Sequence, residues 1–224
     1  MSKVGAVSLE KVKEHPYVKT FIQKGDEHLE VIGLTEHSFR HTSLVADQAR
    51  RILLDLGYGE GDAELAAIAG YLHDIGNVVG RHNHEHIGAV IAFKIFADME
   101  VPPEEIAVII SAIGNHDEQE GHPVNPASAA VILADKSDVH RTRVRNKDIA
   151  TFDIHDRVNY AVEESRLTVD REKKVITLNL KIDKSISTVM EYFEIFLTRM
   201  ILCRRAATFL GLTFSLIIND AKLL

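Results

Sequence analysis

The chain of 224 residues is poor in cysteine and contains no long uncharged apolar stretch. Its single cysteine, Cys203, excludes an intrachain disulfide framework and fits a reducing compartment, so we expect a cytoplasmic protein. No apolar stretch reaches membrane-spanning length without charged residues, and Met1–Val7 lacks the apolar core of a secretory signal. The sequence therefore predicts neither a membrane partner nor export.

Positive charge is scarce as well. The formal net charge is -7 at pH 7, whereas binding to nucleic acid or to an anionic membrane requires clustered Lys and Arg. We therefore expect no extended nucleic-acid surface. The one local basic run comprises Arg141, Arg143, Arg145 and Lys147. This run is either a solvated helix end or loop, or a patch that steers phosphate towards a nearby site.

The chain does have enough apolar sequence for a substantial core. Hydrophobic residues make up 46% and charged residues 26%, which is typical of a globular protein. A chain of this length can form one compact domain with a small appendage. The sequence contains no internal repeat and no low-complexity linker, so nothing indicates a further division.

Apolar periodicity and helix-ending residues predict that the N-terminal part of the chain is helical. Ser8 is an expected N-cap, and Pro16 and Pro126 stand where a proline can open a helix. Gly57 and Gly76 are expected helix ends. Helices are predicted over residues 8–14, 16–29, 36–56, 62–76, 84–99, 103–116 and 126–139.

The pattern changes towards the C-terminus. Apolar residues alternate on both sides of the polar turn Asp170–Lys174, which predicts a β-hairpin. Ser185 or Ser187 is then expected to cap a long amphipathic helix that reaches about Leu210. Residues 213–218 form either one more strand or a tail packed on the hairpin.

These patterns predict a mainly α protein with a helical domain over residues 1–165 and a small α+β appendage over residues 166–224. The hairpin and one face of the long helix are too apolar to stay exposed, because a lone hairpin is marginally stable and large apolar patches are usually covered. We expect them to pack on the helical domain or on a second copy of the chain, which would make a homodimer.

Imidazole and carboxylate side chains lie on the apolar faces of five predicted helices. The most informative is the adjacent pair His73-Asp74, which follows an apolar helix and precedes Ile75-Gly76. Spacings of three or four residues to apolar neighbours place these side chains on the buried stripes. The other candidates are His41, His86, His116 and Asp135.

Together these positions indicate a metal centre. One histidine on an apolar face is more often a hydrogen-bonded core residue than a ligand. Burying several unpaired ionisable groups is costly, however, and a bound cation compensates for that cost. His82 and His84 lie close to His86 in the sequence, so each of the three histidines is a candidate for the fourth ligand. A second pair, His155-Asp156, lacks an apolar lead-in and is interpreted as the start of a helix.

In their order, the motifs from about Glu36 to His140 resemble those of the HD-domain superfamily of metal-dependent phosphohydrolases. The resemblance is carried by His41-Thr-Ser-Leu-Val-Ala, His73-Asp74-Ile-Gly, His86-Ile-Gly-Ala, Asn115-His116-Asp-Glu and Asp135-Lys-Ser-Asp. It implies an all-helical bundle in which one metal ion is bound by His41, His73, Asp74 and Asp135.

The subgroup with two further histidines has a second ion. There the resemblance implies that His86 and His116 bind this ion and that Asp74 bridges both ions. His86 is preferred over its neighbours because the Gly-Ala that follows matches the family pattern. The implied cofactors are two divalent transition-metal ions, and mixed imidazole and carboxylate ligation suits Mn, Fe, Co, Ni or Zn.

The implied activity is hydrolysis of a phosphomonoester or phosphodiester by a metal-activated water, with a nucleotide or small phosphorylated metabolite as substrate. The proton of this water would be received by Asp74 or by Asp117, a carboxylate that is not itself a metal ligand. Two other functions would use the same ligands. One is a di-iron oxygenase that resembles this superfamily, and the other is a regulatory module that keeps the fold without turnover.

Four residues are candidates for contact with the substrate. Lys136, which follows a ligand directly, either holds a phosphate or pairs with a nearby acid. Arg40 and Arg81 are further phosphate candidates, with solvated surface as the alternative. Asn77 occupies the position at which many relatives carry lysine.

Overall fold

The computed structural model describes residues 7–224, so the prediction of no secretory signal at Met1–Val7 falls almost entirely outside the described residues. Within this range the chain is mainly α, as predicted. No helix of this range combines the length and the apolar character that crossing a membrane requires. The helices are α1 (Leu9–Glu14), α2 (Pro16–Val31), α3 (Phe39–Leu56), α4 (Glu60–Leu72), α5 (His84–Asp98), α6 (Pro103–Gly114), α7 (Pro126–Ser137), α8 (Ile154–Ala161) and α9 (Val189–Phe209).

The central helix of the bundle is α7. Its residues from Ala127 to Ser137 are all buried, because α3, α4, α6 and α9 pack around it. Small residues let these helices approach closely: a Cβ on Gly70 of α4 would lie 3.1 Å from the carbonyl oxygen of Val45 in α3. The last turn of α7 carries Asp135 and Lys136, and charges buried at this depth require partners.

The C-terminal part of the described chain forms a sheet in the order β1 (Val162–Asp170), β2 (Val175–Ile182), β3 (Thr213–Ile218) and β4 (Ala221–Lys222). Strands β1 and β2 form the predicted hairpin, and β3 confirms the strand alternative for residues 213–218. Strands β2 and β3 are parallel, a pairing that needs a crossover connection, and α9 provides it.

Helix α9 begins later than predicted. Thr188 is its N-cap, rather than Ser185 or Ser187. The Oγ1 of Thr188 accepts a hydrogen bond from the Glu191 amide at 3.2 Å, and Glu191 Oε2 accepts one from the Thr188 amide at 2.8 Å. This reciprocal capping box satisfies two backbone donors and outweighs what a lone serine cap offers.

The apolar face of α9 packs against α7 of the same chain. Phe196, Met200 and Cys203 are each at most 2% exposed, and Val189 and Phe193 pack at the edge of the same core. This face is therefore covered without a second subunit. The homodimer and the domain boundary after residue 165 stay predictions.

Helix α8 lies at the second His-Asp pair. The predicted helix start is confirmed, because the Oδ1 of Asp153 accepts a hydrogen bond from the Asp156 amide at 2.8 Å and caps α8. The helix contacts the start of β1 and α9. This position places His155 and Asp156 beside the interior site described next.

Candidate metal centre

Six ionisable side chains from five helices or helix ends converge inside the bundle. Each is at most 9% exposed, although each prefers water unless it is paired. The set is His41 of α3, His73 and Asp74 at the end of α4, His84 of α5, His116 after α6 and Asp135 of α7.

Four of these side chains form a first group of donors. The Nε2 of His41 lies 3.2 Å from the Nε2 of His73, 3.6 Å from Asp74 Oδ2 and 3.4 Å from Asp135 Oδ1. The Nε2 of His73 lies 3.1 Å from Asp74 Oδ2 and 3.6 Å from Asp135 Oδ1. Such spacings between donors suit one ion bound at roughly 2.0–2.2 Å from each of them.

A second group surrounds the other oxygen of Asp74. Its Oδ1 lies 3.1 Å from the Nε2 of His84 and 3.9 Å from the Nε2 of His116. The two imidazole nitrogens are 3.2 Å apart. Asp74 therefore directs one carboxylate oxygen at each group, which is the arrangement of a bridging ligand.

Backbone and carboxylate acceptors fix all four imidazoles in the same tautomer. The Nδ1 of His73 donates to Gly70 O at 2.7 Å, and the Nδ1 of His116 donates to Ile113 O at 2.7 Å. Those of His41 and His84 donate to Asp138 Oδ2 at 2.7 Å and Arg81 O at 3.1 Å. Because Nδ1 carries the proton, the Nε2 lone pairs point at one another and at the carboxylates.

The electrostatics of this cluster favour a positive charge at its centre. Burial alone would lower the pKa of His73, but the carboxylates of Asp74 and Asp135 outweigh burial and raise it to about 10. Burial would raise the pKa of Asp74, yet His73 and His37 hold it well below its ordinary value. Either a proton on His73 or a metal ion satisfies this demand, and the donor set fits the ions.

The structure corrects the assignment of His86 as a ligand. The inner face of α5 carries His84 and Gly88, whereas His86 shares the outer face with Val90 and Phe93. The side chain of His86 is 58% exposed, and its Nδ1 lies 3.1 Å from Glu85 Oε1. The prediction was wrong because the apolar residues four and seven positions after His86, which are Val90 and Phe93, do not form a buried stripe: they are 68% and 51% exposed.

A glycine contact fixes the position of His84. After α4, residues Ile75–Val78 form a 3-10 turn instead of the predicted continuation of the helix to Gly76. A Cβ on Gly76 would collide with the carbonyl oxygen of His84 and lie 2.7 Å from the Gly88 amide nitrogen. Gly76 is therefore needed so that the first turn of α5 can approach the turn that follows Asp74.

Two of the predicted substrate residues lie against Asp74. The Nδ2 of Asn77 donates to Asp74 Oδ1 at 3.0 Å, and Asn77 is 2% exposed, so it orients this carboxylate. The Nη1 of Arg81 lies 3.3 Å from the same oxygen, and its side chain is 32% exposed. Of the two, Arg81 also lines a cavity that opens beside the donors.

Lys136 lines the same cavity and pairs with acids, which confirms the pairing alternative, while phosphate binding by Lys136 stays a prediction. Its Nζ lies 2.7 Å from Asp135 Oδ2 and 2.7 Å from Glu118 Oε2. Asp117 is placed differently. It accepts a hydrogen bond from the Gln119 amide at 3.0 Å and lies near His84, away from the cavity lining.

The structure does not place Arg40 at the cavity. Its Nη2 pairs with Glu36 Oε2 at 2.7 Å and Asp138 Oδ2 at 2.9 Å. Asp138 in turn accepts the Nδ1 proton of His41, so Arg40 supports a carboxylate that orients a donor. Sequence reasoning missed this role of Asp138, although its position one turn after Asp135 was a usable signal.

The three arginines of the basic run make structural contacts in the described protein, whereas Lys147 is exposed. The guanidinium of Arg143 donates to Glu36 O at 2.8 Å and Asp138 O at 2.9 Å. Arg145 pairs with Asp26, and Arg141 lies 3.5 Å from Glu163 Oε1. The run thus ties the segment after α7 to α2, to the start of α3 and to β1.

The cavity has a volume of about 150 Å³, enough for about five water molecules. Its floor includes Asp74, His116 and Asp135, and its wall includes His155 and Arg199. His155 and Arg199 were not predicted as site residues, because they come from α8 and α9. A small molecule in this cavity would contact both groups of donors.

Comparison with known proteins agrees with this geometry. Residues 38–157, more than half of the chain, match the HD domain family. The chain therefore belongs to the HD domain family, whose members are mostly metal-dependent hydrolases. No curated protein sequence matches the chain.

Proposed function

We propose that this protein is a phosphohydrolase that cleaves the phosphoester of a nucleotide or small phosphorylated metabolite at a two-ion centre. The observation that carries the proposal is the position of Asp74. Its Oδ2 lies 3.1 Å from the Nε2 of His73, and its Oδ1 lies 3.1 Å from the Nε2 of His84. A carboxylate shared between two sets of imidazole lone pairs is what a pair of divalent ions needs.

The donors divide between the two ions. His41, His73 and Asp135 would hold the first, His84 and His116 the second, and Asp74 both. Bound there, the ions would lower the pKa of a coordinated water and neutralise charge on the substrate phosphate. Transition metals such as Mn, Fe, Co, Ni and Zn suit these ligands.

The remaining residues bind the substrate and accept a proton. Arg81 and Lys136 line the cavity, Arg81 against Asp74 and Lys136 against Asp135, where cations can hold phosphate oxygens. Of the two carboxylates predicted to receive the proton, Asp74 lines the cavity and Asp117 does not. We assign the role to Asp74, with His37 Nε2, 3.9 Å from Asp74 Oδ2, placed to pass the proton to solvent.

The cations in the cavity favour hydrolysis of an anionic substrate over the two alternative functions. A di-iron oxygenase would use the same six donors but has no general need for Arg81 and Lys136 beside them. A regulatory module without turnover has no need for a cavity that reaches both groups of donors. Oxygen-dependent changes in the absorption spectrum of the iron-loaded protein would support the oxygenase instead.

The test is hydrolysis by metal-depleted and metal-restored protein. Chelated protein should not hydrolyse nitrophenyl phosphate, bis(nitrophenyl) phosphate or nucleoside monophosphates, and added Mn should restore activity on at least one of them. Asp74→Asn should abolish this activity, whereas Asp47→Asn on the exposed face of α3 should retain it. Robust hydrolysis by metal-free protein, or equal losses in the two variants, would refute the proposal.

A further inference from the structure

Arg199 is the one arginine of α9 that faces the cavity in the described structure. It lies outside residues 38–157, the range that matches the HD domain. Lys136 and Asp135 line the same cavity, so Arg199 is close to the first group of donors. The C-terminal part of the chain thus adds a cation to a site that is otherwise built by the helical bundle.

Two contacts hold the guanidinium of Arg199 in place while leaving part of it open. Its Nε donates to Glu118 Oε1 at 3.1 Å, and its central carbon lies 4.5 Å from the centre of the Phe196 ring. Among the described residues, neither Nη1 nor Nη2 has a hydrogen-bond partner. These two nitrogens are the ones that bind planar anions bidentately.

A second arginine that lines the cavity, Arg143, has a purely structural role and differs from Arg199 in its hydrogen bonds. Arg143 is 4% exposed, and its Nε, Nη1 and Nη2 all donate to backbone carbonyl oxygens. Arg199 is 23% exposed and uses only Nε. Its remaining donors are therefore available to a molecule in the cavity.

The local charges favour an anion at this position. Lys136 and Arg199 contribute two positive charges, and Glu118 and Asp135 contribute two negative charges. When a metal ion takes Asp135 as a ligand, Glu118 is the one close carboxylate that Lys136 and Arg199 share in the described structure. The two acids in the cavity lining that are not metal donors have partners of their own: Asp153 accepts from the Asp156 amide, and Asp156 accepts from Asn146 Nδ2. In a partly desolvated cavity two cations that share one carboxylate attract an anion more strongly than they would at an open surface.

We propose that Arg199, supported by Lys136, forms an anion subsite that binds a second acidic group of the substrate. The scissile phosphate lies at the ions, and a second group, either phosphate or carboxylate, binds the open edge of the Arg199 guanidinium. This inference rests on the proposed phosphohydrolase function. It narrows the substrate class to phosphate esters that carry another anionic group.

The test uses matched pairs of compounds that differ by one anionic group. Phosphoglycerate adds a carboxylate relative to glycerol phosphate, and adenosine bisphosphate adds a phosphate relative to adenosine monophosphate. With Mn-loaded protein, kcat, KM and the calorimetric Kd are measured for each compound. At least one pair should show tighter binding and a lower KM for the member with the extra group, and the responding pair identifies which group is bound.

Three variants assign that preference to the open guanidinium edge. Arg199→Gln should reduce the preference about tenfold to a hundredfold, the effect of a lost charge-assisted hydrogen bond, mainly through KM. Arg199→Lys keeps the charge and should retain part of the preference. Arg205→Gln, an exposed position on the same helix, should not change it. Circular dichroism and the metal content of each variant show that it folds and binds its ions.

The outcomes separate the subsite from the proposed function. If no compound is hydrolysed but the Kd preference exists and depends on Arg199, the subsite stands and the phosphohydrolase function fails. If hydrolysis occurs but the extra group gives no preference in either pair, the subsite is refuted and the function stands. A preference that folded Arg199→Gln protein retains in full also refutes the subsite.

Discussion

Replacing His84 by alanine should remove the second ion and leave the first in place. The Nε2 of His84 lies 3.1 Å from Asp74 Oδ1 and 3.2 Å from the Nε2 of His116, so it is one of only three donor side chains in this group. Losing a residue that merely orients a ligand costs about 10–100-fold in metal affinity. Losing the ligand itself should cost more than about 100-fold, or roughly 2.7 kcal/mol.

His86→Ala is the matched control on the same helix. Because its side chain is 58% exposed, the substitution should change stability by no more than about 0.5 kcal/mol and leave both ions bound. Both variants are dialysed against Mn or Co, and bound metal is measured by elemental analysis together with calorimetric titration. The reasoning is refuted if His86→Ala loses an ion while His84→Ala keeps two.

Four further outcomes are expected. Gly76→Ala should weaken the second ion and destabilise the fold by about 1–3 kcal/mol in thermal unfolding, because its Cβ would collide with the carbonyl oxygen of His84; an unchanged midpoint and unchanged metal content would contradict this. Asp138→Asn should weaken the first ion about 10–100-fold in a metal titration, because the carboxylate orients His41, and a variant with native affinity would count against that role. Burial would raise the pKa of Asp138, but the hydrogen bond with His41 and the nearby arginines hold this pKa well below 3.8. The stabilisation by the Asp138 carboxylate is therefore complete above pH 3.8 and is lost as the pH falls below it. Metal-free Asp138→Asn should accordingly lose less stability in acid than metal-free wild type. Burial raises the pKa of the Cys203 thiol to about 12, so maleimide should modify it only after denaturation, and rapid labelling of native protein would show that α9 is not packed as described.

The fold was largely accessible from the sequence because its helices carry local signals. Prolines open α2, α6 and α7, and apolar periodicity marks the buried faces. The β-hairpin was equally visible in its alternation around the turn Asp170–Lys174. The start of α9 was less predictable, because several residues before it can cap a helix and only the reciprocal contact with Glu191 selects Thr188.

The candidate site shows where local patterns fail. Five of the six predicted ligands lie in the interior cluster, because each follows the buried face of its helix. The sixth ligand was assigned two residues too late, to His86 instead of His84. Apolar side chains on the exposed face of α5 and the Gly-Ala that follows His86 both favoured the wrong histidine. Gly88, four residues after His84, was the signal for the inner face.

The roles of Asp138 and Arg199, which surround the metal ligands, could not be predicted from local sequence patterns. Asp138 becomes relevant only because α3 and α7 pack together and bring it within 2.7 Å of the His41 Nδ1. Arg199 reaches the cavity only because α9, after the β-hairpin, packs back on α7. Such contacts depend on long-range packing, which no helical period encodes.

The most direct test of the two-ion centre is a crystal of the Mn-loaded protein and its anomalous difference map. The account predicts two peaks that share Asp74, one among His41, His73 and Asp135 and the other between His84 and His116. A single peak at full metal loading, or a second peak ligated by His86 instead of His84, would contradict it.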